Sequence, residues 1–212
     1  MPNLVVRVWL PDRPGALGLV ASRIGAIGGD IVGVEVLERS ETIAVDEFAV
    51  VIEDPAVLPL LVREIEEVDG ASVEEWRTVE SFPDARVDAL ASAEALCGAT
   101  DDNRMAVLVE RTLGEFDADW AAVVVGETLV AADGASIPAA SVLGALAAGT
   151  VASPAVVRGE AGPDDLAVAP LVELGAVLLV SRSGHPFRRR ERQQLLALAR
   201  IADRIGRRPP TG

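Results

Sequence analysis

A change of period near the start of the chain sets the tightest limit on what it can fold into. Leu4, Val6, Val8 and Leu10 recur at every second position, as a strand buried on one face requires. Leu17, Val20, Ile24 and Ile27 then recur at helical spacing. Between the two lies Pro11-Asp12-Arg13-Pro14-Gly15-Ala16. A strand that turns through such a loop into a helix leaves main-chain N–H groups at the helix start, a ready site for an anion. Pro14 suits the first helical turn, where no N–H is needed. Gly15, without a side chain, lets a solute approach the backbone. The loop therefore reads as a small-molecule binding loop; the alternative is a helix start capped by Asp12.

The alternation of element types runs through the first eighty residues. The first helix, from about Gly15 to Ala26, stops at Gly28-Gly29. A second strand, about Asp30 to Arg39, carries Val32, Val34 and Val36 on one face. A third, about Ile43 to Glu53, carries Phe48, Val50 and Ile52 and ends at Asp54-Pro55. A helix with Leu58, Leu61, Val62 and Ile65 leads through Asp69-Gly70 to a fourth strand, about Ser72 to Val79. The order is βαββαβ, which stacks both helices on one sheet face. Trp9 and Trp76 fall out of phase with the helix-facing residues, so both are expected on the open face, where they need a cover.

Residues 81–103 read as a helical connector, with a helix from about Ala85 to Cys97 broken at Gly98. Beyond it the pattern predicts a helix over Arg104 to Phe116 and a hairpin of Trp120 to Val125 with Thr128 to Ala132. A small apolar helix from about Pro138 to Ala148 follows, then strands near Asp165–Leu171 and Leu174–Arg182. A closing helix spans about Arg188 to Ile205. Ala135 to Val157 is uncharged, but its Pro, Ser and Gly residues suit a buried helix and loop better than a membrane span. Residues 207–212 read as a flexible tail.

Composition narrows the function classes. The net charge of −14 repels phosphate backbones, so nucleic acid is not expected as a partner, and the broken Ala135 to Val157 stretch leaves no membrane expected either. Arg188-Arg189-Arg190 with Arg192 reads as the solvated first turns of a helix. A single cysteine, Cys97, rules out an intrachain disulfide, fits a reducing compartment and reads as core filler. No basic-then-apolar segment opens the sequence, so a cytoplasmic location is expected. Chemistry finds few residues to work with. His185 is the one histidine, in a Ser183-Gly184-His185-Pro186 turn, and no Gly-x-Ser-x-Gly elbow occurs. Gly25-Ala26-Ile27-Gly28-Gly29 follows a helix and precedes a strand, the reverse of a phosphate-binding loop. These features predict no catalytic residues, no metal and no cofactor.

Residues 3–80 resemble an ACT domain, the small ferredoxin-like module that binds amino acids. The likeness rests on Leu10, Asp12-Arg13-Pro14-Gly15-Ala16-Leu17, the helix ending at Gly28-Gly29, and Ile31-Val32 opening the second strand. It implies a homodimer with a ligand between the first loop of one copy and the second strand of another. Asp12 and Arg13 would lie at the ligand, with Asp12 meeting an amine. The backbone at Gly15, Ala16 and Leu17 would receive a carboxylate, with Pro14 in the same ligand-binding loop, and Asp30 and Ile31 would close the pocket. Asp12 and Asp30 stand where such domains often carry asparagine; an aspartate only accepts, which favours an ammonium and repels a carboxylate.

Residues 104–206 are similar to a shortened GAF domain, an α/β fold with an antiparallel sheet. Gly175 to Arg182, Pro186-Phe187, Glu191-Arg192 and Leu195-Leu196-Ala197-Leu198-Ala199 carry that likeness. The short stretch between Ala132 and Asp165 leaves little wall for a pocket, which favours signal output or dimerisation. The whole is expected to be an α+β, non-enzymatic regulatory protein that senses an amino acid or other amine. The alternative is a ligand-free scaffold that pairs with a partner enzyme or regulator.

Overall fold

The computed structural model describes residues 3–205. They form a mixed α+β fold with two four-stranded antiparallel sheets and seven α-helices. The chain divides into two compact units, Met1–Pro83 and Asp84–Gly212. Residues 207–212, expected as a tail, lie outside the described residues.

In the first unit the order is β1 (Asn3–Pro11), α1 (Ala16–Ala26), β2 (Asp30–Arg39), β3 (Ile43–Val51), α2 (Leu58–Glu66) and β4 (Ser72–Val79). The strands lie in the order β2-β3-β1-β4, so β2 and β4 are edges. Leu4, Val6, Val8 and Leu10 of β1 join Ala44, Phe48 and Val50 of β3 and Ile52 just beyond it in one core with Ala16, Val20 and Ile24 of α1 and Leu61 and Ile65 of α2. Period two in the strands and 3.6 in the helices put these side chains on facing surfaces. On the opposite sheet face, Arg7 is buried and donates from Nη2 to Glu47 Oε2 at 2.9 Å. Glu75 lies 3.7 Å from the Arg7 Nε, and Arg77 approaches Glu75 and Glu47 at 3.3 and 3.8 Å.

Trp9 and Trp76 do not share a face. Trp76 is paired with Val6, whose side chain points to the helices, while Trp9 is paired with Val45 on the other face. The cause is a bulge in β4. Val8 pairs with Val73 and Arg7 with Glu75, so Glu74 is an extra residue and the phase of β4 slips by one. Trp9 donates from its indole to Glu74 Oε1 at 3.0 Å.

The second unit runs α3 (Ala85–Gly98), α4 (Arg104–Phe116), β5 (Trp120–Val125), β6 (Thr128–Gly134), α5 (Ala140–Val151), α6 (Pro154–Val157), β7 (Leu166–Leu171), β8 (Ala176–Ser181) and α7 (Arg189–Ile205). Its strand order is β6-β5-β8-β7. Ala121, Val123, Leu178 and Val180 pack with Leu108 and Phe116 of α4 and Leu195, Leu198 and Ala202 of α7. Trp120, Ala122, Val124 and Leu179 pack on the other face with Leu143 and Ala147 of α5. Cover on both faces explains why β5 is almost continuously apolar. The helix inside the expected connector, α3, packs against α4 and α7.

Three expectations need correction here. Helix α5 is not buried all round: Leu143, Gly144 and Ala147 face the sheet while Val142 is half exposed. Cys97 is exposed rather than core filler. The basic cluster is not a solvated face. Arg188 and Arg192 are buried, and Arg192 donates to the carbonyls of Leu166 and Pro163 at 2.8 and 2.6 Å. An arginine fork satisfies two carbonyls at once, which ties α7 to the strand β7 and the loop before it.

Candidate functional site

The corner between β1 and α1 is built by a tight turn. Arg13 N–H donates to the Pro11 carbonyl and Ala16 N–H to the Arg13 carbonyl, at 2.8 and 3.2 Å. Gly15 has φ 90° and ψ −15°, the third position of a type II turn with proline at the second. Pro14 therefore sits in the turn before the helix, not in its first turn as expected. The turn fixes Gly15 as the N-cap, and a glycine offers no side chain to the helix start.

No side chain caps α1. Among the described residues, the Leu17 and Gly18 N–H groups donate to no protein acceptor. A Cβ placed on Gly15 or Gly18 would meet nothing within 4 Å, so the main chain here is open. Asp12 is not the cap. Its main-chain N–H donates to the Thr42 carbonyl, and its Oδ2 accepts from Arg39 Nε at 2.7 Å. That bond, with the charge of Arg39, holds the Asp12 carboxyl below its ordinary range, and the same bond, with the charge of Asp12, raises Arg39 above its own. The cation beside Asp12 is thus Arg39 of β2. Arg13 is half exposed and comes only within 4.0 Å of Asp69.

The expected site residues separate into two groups. Asp12, Arg13, Pro14, Gly15, Ala16 and Leu17 share the corner, with Ala16 buried against the core and Leu17 exposed beside it. Asp30 and Ile31 lie at the other end of the sheet. Asp30 pairs with Val51, whereas Pro11 pairs with Ile43. Eight residues of β3 separate those positions, about 26 Å at strand spacing. One copy of the chain does not bring the two groups together.

The structure adds a residue that sequence reasoning missed. Asp46 of β3 lies opposite Val8 on one side and Val36 on the other, in the row of Ala44, Phe48 and Val50 that faces α1. It is 3% exposed. Burial and then the neighbouring charge of Asp12 push its carboxyl above the ordinary aspartate range, and Arg39 partly opposes them. A signal was present: Asp46 is the one charged side chain in phase with Ala44, Phe48, Val50 and Ile52. Arg39 left no such signal, because its contact depends on the register of β2.

The corner thus combines two bare amides and a cation, which suit an anion, with two carboxylates, which suit an ammonium. The chain matches no protein-family model and has no significant match among curated proteins. No helix among the described residues is long and apolar enough to cross a membrane.

Proposed function

We propose that the chain is a non-enzymatic, cytoplasmic regulatory protein that senses an amino acid or similar amine at a homodimer interface, through an ACT-like first unit. The reading rests on the open corner: a type II turn delivers the Leu17 and Gly18 amides uncapped, with the Asp12 carboxylate beside them. The strand order β2-β3-β1-β4 and the helices packed on one face support the ACT likeness. The antiparallel order β6-β5-β8-β7 with the closing helix α7 supports the GAF likeness, with an output or dimer-holding role.

A second copy accounts for Asp30 and Ile31. Strand β2 is an edge, and Val32, Val34 and Val36 on it are each about half exposed. If two copies pair antiparallel along β2, the start of one strand lies beside the end of the other. Asp30 and Ile31 of one copy then approach Arg39 and Asp12 of the next. A ligand seated there stabilises the pair by RT ln(1 + [L]/Kd), about 2.7 kcal/mol at a hundredfold excess over Kd. That is enough to shift a modest assembly equilibrium.

Thermal melting of the full chain against the twenty amino acids, with mass in solution measured in parallel, tests the reading. A stabilising hit that also favours the dimer is the expected result. For such a hit, Asp12→Ala raises the calorimetric Kd roughly tenfold, one lost charge-assisted hydrogen bond. The fold survives, because an ion pair whose cation is largely in solvent contributes little. An unchanged Kd in that variant counts against the site. The exposed valines of β2 also favour a second reading, a scaffold that pairs without a ligand; a dimer whose melting no amino acid shifts would select it.

A further inference from the structure

Asp46 lies on the helix-facing side of β3, opposite Val8 and Val36, with one carboxylate oxygen left unanswered among the described residues. That oxygen, Oδ1, is enclosed and meets no hydrogen-bond partner among the described residues. A buried carboxylate oxygen in that state is costly, and a native fold keeps one mainly where something else is meant to meet it. Asp12 and Arg39 are the charged groups that act on it; the other side chains flanking it in the sheet, Val8 and Val36, are apolar. Arg39 pairs with Ala44, two residues along β3 from Asp46 and on the same sheet face, and its guanidinium is bonded to Asp12. Arg39 itself is 71% exposed at its side chain, so it holds Asp12 from the solvent side by a contact that is cheap to break.

We propose that Asp46 is the second carboxylate of an ammonium-binding site, and that Arg39 is the resident cation which a primary amine displaces from Asp12. The inference rests on the amine-sensing reading above and extends it to the side chains that choose the amine. An ammonium has three N–H donors and no acceptor. One N–H answers Asp12, another the enclosed oxygen of Asp46, and the incoming charge replaces that of Arg39. A divalent metal is a poorer match, because it takes six or more oxygen ligands. Among the described residues no group of three or more His, Cys, Asp or Glu is placed to hold one. A quaternary ammonium brings charge without donors and leaves Asp46 unanswered. The site therefore selects primary amines over methylated ones, and amines over the acids that lack them.

The experiment uses the full chain, isotopically labelled, with ethylammonium chloride as the probe. Tetramethylammonium chloride and sodium propionate serve as controls. The carboxyl carbons of Asp12 and Asp46 and the Nε–H of Arg39 are followed by NMR. The expected result is one saturable curve with a common midpoint for all three signals, given by ethylammonium alone. Asp46→Asn, which keeps the shape of the side chain, raises that midpoint at least roughly tenfold. A curve seen at Asp12 and Arg39 but not at Asp46 overturns the proposal. So does an equal response to tetramethylammonium, no saturable response, or the same midpoint in Asp46→Asn. The wild-type curves decide the matter even if that variant folds poorly. Ethylammonium binding that needs Asp46, with no amino acid shifting the melting temperature, would keep this site and reject the amino-acid sensor. An amino acid that binds identically to wild type and Asp46→Asn would do the reverse.

Discussion

Asp46 occupies a position where the alternation of β3 calls for an apolar side chain, and the fold tolerates it at a cost that depends on pH. Burial, reinforced by Asp12, raises its carboxyl above the ordinary aspartate range. The folded state then binds the proton more tightly than the unfolded chain does. Its contribution to stability is present below the unfolded value and is lost as pH rises through the folded one. Asp46→Asn has no such loss. The variant is expected to melt with the wild type near pH 3 and above it at pH 7, by roughly 1 kcal/mol, an ordinary size for a single substitution. Asp12 has the opposite sign, since Arg39 lowers its carboxyl, and its contribution fades as pH falls. Melting curves of both proteins from acid to neutral pH check this; a constant gap would mean that Asp46 does not titrate in the fold. At this scale the site was half legible. Asp12 and Gly15 announce themselves by residue type within one loop, whereas the meeting of Arg39, Asp12 and Asp46 depends on the register of three strands.

Elements were more legible than contacts. The expected spans of β2, β4, α4 and β5 coincide with the observed ones, because a period and its glycine or proline stops are local properties. The bulge at Glu74 was not legible. One extra residue leaves composition unchanged yet moves Trp76 to the helix side. Which face of α5 meets the sheet was also hidden, since alanine and glycine lie all around it. The structure makes that face testable with one type of substitution at two sites. A Cβ on Gly144 would lie 2.7 Å from the Gly126 carbonyl and 3.1 Å from the Glu127 Cα, both backbone atoms of the β5–β6 turn. A Cβ on Gly149 would meet nothing within 4 Å. Alanine in place of glycine favours a helix by about 1 kcal/mol. At Gly149 that gain stands alone, so Gly149→Ala is expected to raise the urea midpoint. At Gly144 the clash costs about 1–3 kcal/mol, which offsets or exceeds the gain. Gly144→Ala should therefore lower the midpoint or leave it unchanged. Equal stabilisation by both variants would place α5 in a different rotation on the sheet.

Over the whole molecule, charge opposes the assembly that the site calls for. Each copy carries a net −14, and β2 itself contributes Asp30, Glu35 and Glu38 against Arg39 alone. Two copies aligned along β2 thus meet like charge, while the half-exposed valines supply the attraction. Salt acts on these terms in opposite ways. Raising ionic strength from about 0.01 M to about 1 M shortens the screening length from about 30 Å to about 3 Å. The repulsion between copies is then removed and the apolar contact kept, so self-association without ligand is expected to tighten. The hold of the partly exposed Asp12 carboxylate on an ammonium weakens over the same range. Sedimentation equilibrium without ligand and calorimetry with a bound amine should therefore move in opposite directions with salt. Dissociation of the dimer at high salt would show that opposite charges, not the valine stripe of β2, join the copies, and the antiparallel pairing that brings Asp30 to Asp12 would lose its basis.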